Sequence, residues 1–159
     1  MSTQSKLDAI DRKLLQVLQQ NARLTTKELA EAVHLSPTPT FERQKRLERE
    51  GYIKRYVAEV DADKLGDHLT VLCNIRLKQH GKAFAKEFVD AMMELHEVVV
   101  CYNTSGDYDY LIRVEVRDMR HYQDFVLNRL GSMDSVGQVH SVFVIGTVKE
   151  NRSVPVPFD

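Results

Sequence analysis

The sequence predicts an α+β protein in which a helical N-terminal third precedes a region of alternating strands and helices. Apolar residues recur at helical spacing up to about residue 49. Beyond residue 68 they recur every second residue, and two further helical patterns interrupt this alternation. A polar stretch at residues 61–67 separates the two regions, so we predict domains at 1–61 and 62–159. A chain of 159 residues fits two small domains.

Two helical patterns open the chain, and each has a recognisable start. Asp8 precedes the first as a candidate N-cap, and Asn21 follows it as a stop; its apolar face carries Ile10, Leu14, Val17 and Leu18. The second starts at a capping box in which Glu28 reaches back to the N–H of Thr25. Its inward residues are Leu29, Ala30 and Val33.

A third helical pattern is short and basic. Ser36 or Thr38 caps it, two prolines fall in its first turn, and Gly51 lies where a helix ends in a left-handed residue. We expect Phe41 and Leu47 to anchor it in the core. Its basic residues are Arg43, Lys45, Arg46 and Arg49.

A capped basic helix behind two other helices is typical of a helix-turn-helix whose last helix enters a DNA major groove. The alternative is a surface helix stabilised by ion pairs, because Arg46 is spaced i, i+4 from both Glu42 and Glu50. Residues 52–60 have a β-like composition and predict a small wing with a connecting strand.

The second region predicts the order β-α-β-β-α-β, which is the ferredoxin-like plan of two helices on one face of an antiparallel sheet. Strands are expected at 69–77, 98–102, 108–116 and 139–148, and Asp118 can cap the second helix. Apolar residues also occur at the opposite parity, where they give the sheet a second apolar face: Leu72, Val99, Leu111, Val142 and Val144. We expect a partner subunit to cover that face.

Composition narrows the class of protein. The chain is 43% hydrophobic and 28% charged, with a formal net charge of −1, so it is a globular chain without a strong general attraction to nucleic acid. Residues 36–56 nevertheless carry six basic groups against three acidic ones. No apolar run approaches the ~20 residues of a membrane span, and we expect no secretory signal, because residues 1–6 lead into no apolar segment. Cys73 and Cys101 are expected to be buried free thiols in a reducing cytoplasm.

No pattern of a catalytic or metal site occurs in the sequence. The six histidines have no metal-ligand spacing, and neither a nucleophile triad nor a phosphate-binding glycine loop is present. Asp107 and Asp109 are two residues apart at a strand edge and do not form an obvious acid–base pair. We therefore expect a protein that is not an enzyme and that holds no metal and no cofactor.

The order of four segments is similar to that of a known family. They are the Leu-Asp start at residues 7–11, the Leu-Ser-Pro-Thr-Pro run at 35–39, the basic stretch at 43–53 and the Ser-Gly-Asp-Tyr-Asp-Tyr turn at 105–110. Together they resemble the leucine-responsive regulatory protein/AsnC (feast/famine) family of transcription regulators over residues 6–150. The resemblance implies sequence-specific binding of double-stranded DNA and modulation by a small effector, which is an amino acid in this interpretation.

The basic helix is the candidate DNA-reading element. Arginine can bind guanine bidentately, and lysine and arginine also neutralise phosphates. Hydroxyl groups and N–H groups at helix starts suit phosphates. The predicted DNA-contacting residues are Thr25, Thr26, Ser36, Thr38, Thr40, Glu42, Arg43, Lys45, Arg46 and Arg49. We expect Arg46 to be exposed on the helix face opposite Phe41.

The turn at 104–109 is the candidate effector site. Gly106 permits close approach of a ligand, an aspartate can accept an ammonium group, and turn N–H groups can hold a carboxylate. A plain hairpin turn is the alternative. The resemblance places the pocket between subunits and implies these effector-binding residues: Asn103, Thr104, Ser105, Gly106, Asp107, Tyr108, Asp109, Met119 and Thr147.

The sequence is compatible with more than one function. The chain is either an effector-modulated regulator, a DNA-architectural protein without an effector, or a small-ligand sensor or enzyme whose helical third is a dimerisation arm. A dimerisation arm does not need four basic residues on one short helix, which favours DNA binding. We expect a cytoplasmic homo-oligomer that is at least a dimer and assembles further into a tetramer or octamer.

Overall fold

The computed structural model describes residues 7–66, 68–151 and 153–157. The chain divides into two compact units. One contains Met1–Glu59 together with Lys149–Asp159, and the other contains Val60–Val148. The first boundary lies close to the one predicted at 61, but the C-terminal segment groups with the first unit rather than with the second. Gln19 on the first helix explains this grouping, because its side chain is hydrogen-bonded to both the N–H and the carbonyl of Val154.

The first unit is built from three helices: α1 (Ala9–Gln20), α2 (Thr26–Val33) and α3 (Pro37–Arg49). The N-cap predicted at Asp8 and the capping box predicted at Thr25 are both formed, and the structure shows a capping box at the start of α1 as well. Asp8 accepts the Asp11 N–H at 2.8 Å, and the Asp11 carboxylate accepts the Asp8 N–H at 3.1 Å. Ser36 stands at the N-cap position of α3 without a side-chain cap bond. Gly51 has φ 80°, as predicted for the residue that ends this helix.

The core of the first unit consists of leucine and valine side chains from all three helices, with Leu14, Leu29 and Leu47 almost fully buried. Phe41 is not part of it, and its prediction as a core anchor is wrong, because its side chain is 48% exposed. The preceding residue, Thr40, takes the inward position instead and is fully buried.

The strand predicted over residues 52–60 is not formed in the described part of the chain, where this segment takes part in no sheet. A short 3-10 helix follows at Ala62–Leu65. The second unit then contains β1 (Leu69–Leu77), α4 (Lys82–Glu94), β2 (Val98–Asn103), β3 (Tyr110–Val116), α5 (Met119–Phe125, extended by a π-helical turn at Val126–Leu130) and β4 (Val136–Phe143).

The four strands form an antiparallel sheet in the order β2-β3-β1-β4, which confirms the predicted ferredoxin-like topology. Cys73 on β1 lies opposite Ile112 on β3 and Ser141 on β4. Helices α4 and α5 contribute Phe88 and Phe125 to the core on this face of the sheet. β4 ends at Phe143, earlier than predicted. Its partner strand β1 begins at Leu69, and the Val144 N–H already donates to the carbonyl of Thr70 at that end of β1.

The other face of the sheet, which we call the open face, carries the apolar residues that the alternation predicted, with one correction. Leu72 lies opposite both Arg113 and Val142, and Leu111 lies opposite Tyr102. The β2–β3 register shifts between Val98 and Val100, so Val100 rather than Val99 lies opposite Arg113 on this face. A β-bulge of this kind adds one residue to a strand and reverses the side-chain parity beyond it.

The two cysteines differ in exposure. Cys73 is buried, as predicted, and its sulfur lies 3.2 Å from the Tyr122 hydroxyl. Burial raises the pKa of the Cys73 thiol. Cys101 is exposed, which corrects the prediction of a buried thiol, because β2 is an edge strand of the sheet.

Candidate nucleic-acid interface and ligand site

Helix α3 follows α2 after a tight turn. His34 ends α2 in the left-handed conformation, with φ 57° and ψ 44°, and its N–H is hydrogen-bonded to the end of that helix. The Leu35 N–H donates to the Ala30 carbonyl at 3.0 Å. Since Ser36 already occupies the N-cap position of α3, the two helices are connected by a very short link. Such a link gives the arrangement of a helix-turn-helix.

One face of α3 is exposed along its whole length. Its residues are spaced i, i+3, i+4, i+7 and i+11, which is one side of an α-helix. We call this set the exposed face of α3, and it consists of Thr38, Phe41, Glu42, Lys45 and Arg49. The Lys45 ammonium lies 5.7 Å from the centroid of the Phe41 ring and 2.7 Å from a Glu48 carboxylate oxygen. Four of the predicted DNA-contacting residues therefore share one accessible surface.

Arg43 and Arg46 point elsewhere. Arg43 Nη1 lies 2.6 Å from Asp8 Oδ2 and 2.8 Å from Asp11 Oδ1, and Arg46 Nη2 lies 2.5 Å from Asp11 Oδ2. Asp11 is 1% exposed. We call these four residues the Asp11 clasp. The prediction that Arg46 is exposed opposite a buried Phe41 is wrong: the arginine side chain is 28% exposed and is paired, whereas the phenylalanine is accessible.

The physical reason for the Asp11 clasp is the burial of a charge. A buried carboxylate is strongly unfavourable unless cations and hydrogen bonds compensate for it. Asp11 lies in the first turn of α1, so the arginines of α3 that reach it fix the packing of α3 against α1. Hydrogen bonds to Asp8 and Asp11 raise the pKa of Arg43, and the bond to Asp11 raises that of Arg46.

The hydroxyl groups that were predicted to contact DNA differ in their exposure and in whether they already have a hydrogen-bond partner within the chain. Thr40 is fully buried, and its hydroxyl donates to the Ser36 carbonyl at 2.9 Å. The prediction that this hydroxyl contacts a phosphate is therefore wrong. The Thr25 hydroxyl donates to a Glu28 carboxylate oxygen at 2.7 Å within the capping box. Ser36 and Thr38 are exposed at the start of α3, and Thr26 is half-buried at the start of α2.

The turn between β2 and β3 is held by hydrogen bonds of its own backbone and side chains and by bonds to Ile75 and Arg76 of β1. The Thr104 N–H donates to the Asp109 carbonyl at 2.9 Å, and the Thr104 hydroxyl donates to the Tyr108 carbonyl at 2.9 Å. The Asn103 side chain also donates to the Asp109 carbonyl. Gly106 at the turn has φ 114°, which side-chain-bearing residues rarely adopt. The sequence-predicted residues 103–109 are therefore brought together at one end of the sheet.

Asp109 connects this turn to a cavity. One carboxylate oxygen accepts the Leu77 N–H at 2.8 Å, and the other lies 3.5 Å from His80 Nδ1. The cavity has a volume of about 320 Å³. Its polar lining includes His80, Lys82, Asn103 and Asp109. His80 and Lys82 were not predicted as site residues, because no spacing in the sequence relates them to the turn.

Met119 and Thr147 lie far from this turn within one chain. The turn precedes β3, whereas Met119 opens α5 after β3 and is 47% exposed. Thr147 follows β4, whose last residues pair with the start of β1 and hence lie at the Val116 end of β3. One copy of the chain does not bring the whole predicted effector set together.

Neither a metal site nor a membrane-spanning helix occurs within the described residues. No group of three or more His, Cys, Asp or Glu side chains is arranged to hold a metal ion there. None of the helices in those ranges is long and apolar enough to cross a membrane.

A helix-turn-helix unit that precedes a ferredoxin-like unit defines a DNA-binding regulator with a second, ligand-binding domain. Comparison with known families agrees with this class. Residues 7–54 match the winged helix-turn-helix DNA-binding model, and residues 70–154 match the Lrp/AsnC ligand binding domain. The chain belongs to the Lrp/AsnC family of transcription regulators.

Individual relatives support the same assignment. The chain is 39% identical over 150 residues to the DNA-binding transcriptional activator DecR of Escherichia coli K12, covering 94% of this chain and 99% of that protein. It is 35% identical over 150 residues to the leucine-responsive regulatory protein of the same strain, with 94% and 92% covered. A transcriptional regulator from Neisseria meningitidis, solved in complex with L-Met, superposes with a TM-score of 0.90 at 35% identity, covering 94% of this chain and 97% of that one.

Proposed function

We propose that this regulator reads DNA with the exposed face of α3 and that an amino acid bound to the ferredoxin-like unit modulates its DNA affinity or its assembly. The observation that carries the proposal is the separation of basic residues on α3 into two groups. Lys45 and Arg49 are accessible, while Arg43 and Arg46 are held in the Asp11 clasp.

The exposed face has the chemistry of a major-groove surface. Lys45 and Arg49 can bond guanine or neutralise phosphates, Glu42 can accept from the cytosine amino group, and Thr38 can bond a base edge or a phosphate. Ser36 and Thr26, at helix starts, suit phosphates that fix the register. In this proposal Arg43 and Arg46 are positioning residues that set the angle of α3 on α1.

A matched pair of variants tests the DNA interface. We expect Lys45→Ala/Arg49→Ala to bind genomic fragments at least tenfold more weakly than the parent, since loss of a base or phosphate contact costs about 1–3 kcal/mol. Lys13→Ala removes an exposed lysine from α1 and is expected to bind like the parent. Footprinting gives the affinities. Equal footprints for the double variant and the parent would exclude this face, and sequence-indifferent binding would indicate an architectural protein.

The effector proposal rests on the turn and on the Neisseria relative. That relative is described in complex with L-Met. In the present chain, Asp109 lines a cavity and supplies a carboxylate suited to an ammonium group, while N–H groups of the turn suit a carboxylate. Met119 and Thr147 lie at the opposite end of the sheet, so we propose that a second copy of the chain provides them to a shared pocket.

Calorimetry with the twenty amino acids tests this site. Asp109→Asn is the informative variant, because an amide oxygen can still accept the Leu77 N–H while the negative charge is lost. We expect at least one amino acid to bind the parent below about 1 mM and to bind the variant at least tenfold more weakly, the difference expected for loss of a charged partner. If none binds, or if binding is unchanged in Asp109→Asn, the turn is only a hairpin.

The proposed function also includes the assembly of several copies of the chain. The open face of the sheet carries Leu72, Leu111, Val100 and Val142 around Arg113. We propose that a second copy covers this face in a two-fold dimer, that dimers associate into a tetramer or octamer, and that the regulator works in the cytoplasm, where bacterial DNA lies. A two-fold protein presents two copies of α3 to two half-sites of an operator.

A further inference from the structure

Phe41 is an apolar side chain on a surface that is otherwise polar. It is the fifth of the 13 residues of α3, lies on the exposed face and is 48% exposed. Phe41 does not take part in the core beneath α3, because Thr40 and Leu47 are the residues of this helix that are fully buried there. Packing of the first unit therefore does not explain an aromatic residue at this position.

The position and chemistry of Phe41 point to a base contact. Residues near the start of a recognition helix are the ones that reach base edges in the major groove. Among the four bases, only thymine offers an apolar group there, its 5-methyl group. The Lys45 ammonium, one turn further along, lies 5.7 Å from the centroid of the ring, which places a donor for base or phosphate acceptors beside the apolar contact.

We infer that Phe41 is a specificity-determining residue that packs against the methyl group of one thymine in each operator half-site. This inference rests on the proposed DNA interface and adds a base preference to it. Lys45 and Arg49 can bond guanine or neutralise the phosphates that every sequence carries, whereas contact with a methyl group distinguishes thymine from cytosine and from uracil. The regulator is therefore expected to select sites with a fixed thymine in each half.

The test removes the methyl group from the DNA and the ring from the protein. The full-length chain first selects its sites from a random duplex library, and each recurrent thymine is then replaced by deoxyuridine. Affinities are measured for the parent, Phe41→Ala and Phe41→Leu. Val57→Ala, which truncates an exposed apolar residue outside α3, is the matched control. Circular dichroism and light scattering report whether fold and assembly are retained.

We expect the parent to bind about fourfold more weakly for each critical methyl group removed, the factor for losing one buried methylene-sized group. Phe41→Ala is expected to bind thymine and deoxyuridine DNA equally, Phe41→Leu to keep part of the discrimination, and Val57→Ala to match the parent. Equal discrimination by the parent and Phe41→Ala, or no methyl sensitivity in the parent, would overturn the inference. So would a change of oligomeric state in Phe41→Ala, since the ring would then be an assembly contact. Failure to select any site would instead count against the proposed DNA-reading function.

Discussion

At the scale of single residues, the Asp11 clasp connects the sequence to the orientation of α3 on α1. Asp11 has two roles: its backbone N–H and carboxylate complete the capping box of α1, and its carboxylate holds Arg43 and Arg46 of α3. A short acidic residue at the third position of a helix is recognisable from sequence as part of a cap. Its partners, more than thirty positions away, are not.

The first prediction concerns this buried carboxylate. Asp11→Asn is expected to lower the free energy of unfolding by about 3 kcal/mol, because it leaves the arginines of a buried ion pair without their charge partner. Urea unfolding followed by circular dichroism measures the change. Glu31→Gln, an exposed acidic residue on α2, serves as the control and is expected to stay within about 0.5 kcal/mol of the parent. A loss no larger than that of the control would show that the Asp11 clasp does not stabilise the unit.

The second prediction is a loss of stability in acid. Burial raises the pKa of Asp8, but the Asp11 N–H and Arg43 lower it by more, so its pKa is below 3.8. The Thr25 N–H and hydroxyl lower the pKa of Glu28, and Lys45 lowers that of Glu48, each below 4.5. Folded-state pKa values below the unfolded ones stabilise the fold fully above about pH 4.5 and stop doing so as pH falls through the lowered values.

Urea unfolding between about pH 6 and pH 3 tests that dependence. The parent is expected to lose stability only toward the acid end of this range, and Asp8→Asn is expected to give a shallower loss because one of the three carboxyl groups no longer titrates. A stability that rises as the pH falls from 4.5 would contradict the sign of these shifts.

At the scale of elements, features that depend on neighbouring residues in the sequence were predictable, whereas features that depend on packing between distant segments were not. The starts of α1 and α2 and the turn at Gly51 depend on residues within one helical turn, and all three are formed as predicted. Whether Thr40 or Phe41 faces the core depends on how α3 packs on α1, which no local pattern encodes. The bulge in β2, which puts Val100 on the open face, likewise depends on pairing with β3.

The third prediction concerns the start of α2. Thr25→Ala removes the side chain that accepts the Glu28 N–H at 3.3 Å and is expected to cost about 1 kcal/mol of unfolding free energy. Lys27→Ala, an exposed change one residue inside the same helix, is expected to have little effect. Chemical denaturation of the two variants side by side measures the difference, and equal midpoints would show that the capping box contributes nothing.

At the scale of the whole molecule, the two units carry different functional surfaces of the regulator. The first presents the exposed face of α3, and the second carries both the turn at 103–109 and the open face of the sheet. The alternation of apolar residues predicted the order of strands and helices along the chain and the apolar open face. It did not predict that Met119 and Thr147 lie at the other end of the sheet from the turn, because that separation follows from strand direction.

The fourth prediction is that the open face assembles the protein. The parent is expected to be at least a dimer of the 18.3 kDa chain by light scattering at micromolar concentration. Leu111→Asp places a carboxylate in the middle of this apolar face, where a covering subunit would have to desolvate it, and is expected to shift the population to monomer. Met93→Asp, on α4 with 80% exposure, is the control and is expected to assemble like the parent. A monomeric parent, or a Leu111→Asp variant that still assembles, would exclude the open face as the interface.

The central claim is that a ligand in the second unit changes what the first unit does to DNA. It is tested most directly by one binding isotherm on a selected operator, measured with and without the amino acid found by calorimetry, for the parent and for Asp109→Asn. The parent is expected to change its DNA affinity by about fivefold or more, the lower end of typical coupling between two sites, and the variant is expected to bind the same operator without responding. Identical parent isotherms with and without a bound amino acid would contradict the claim.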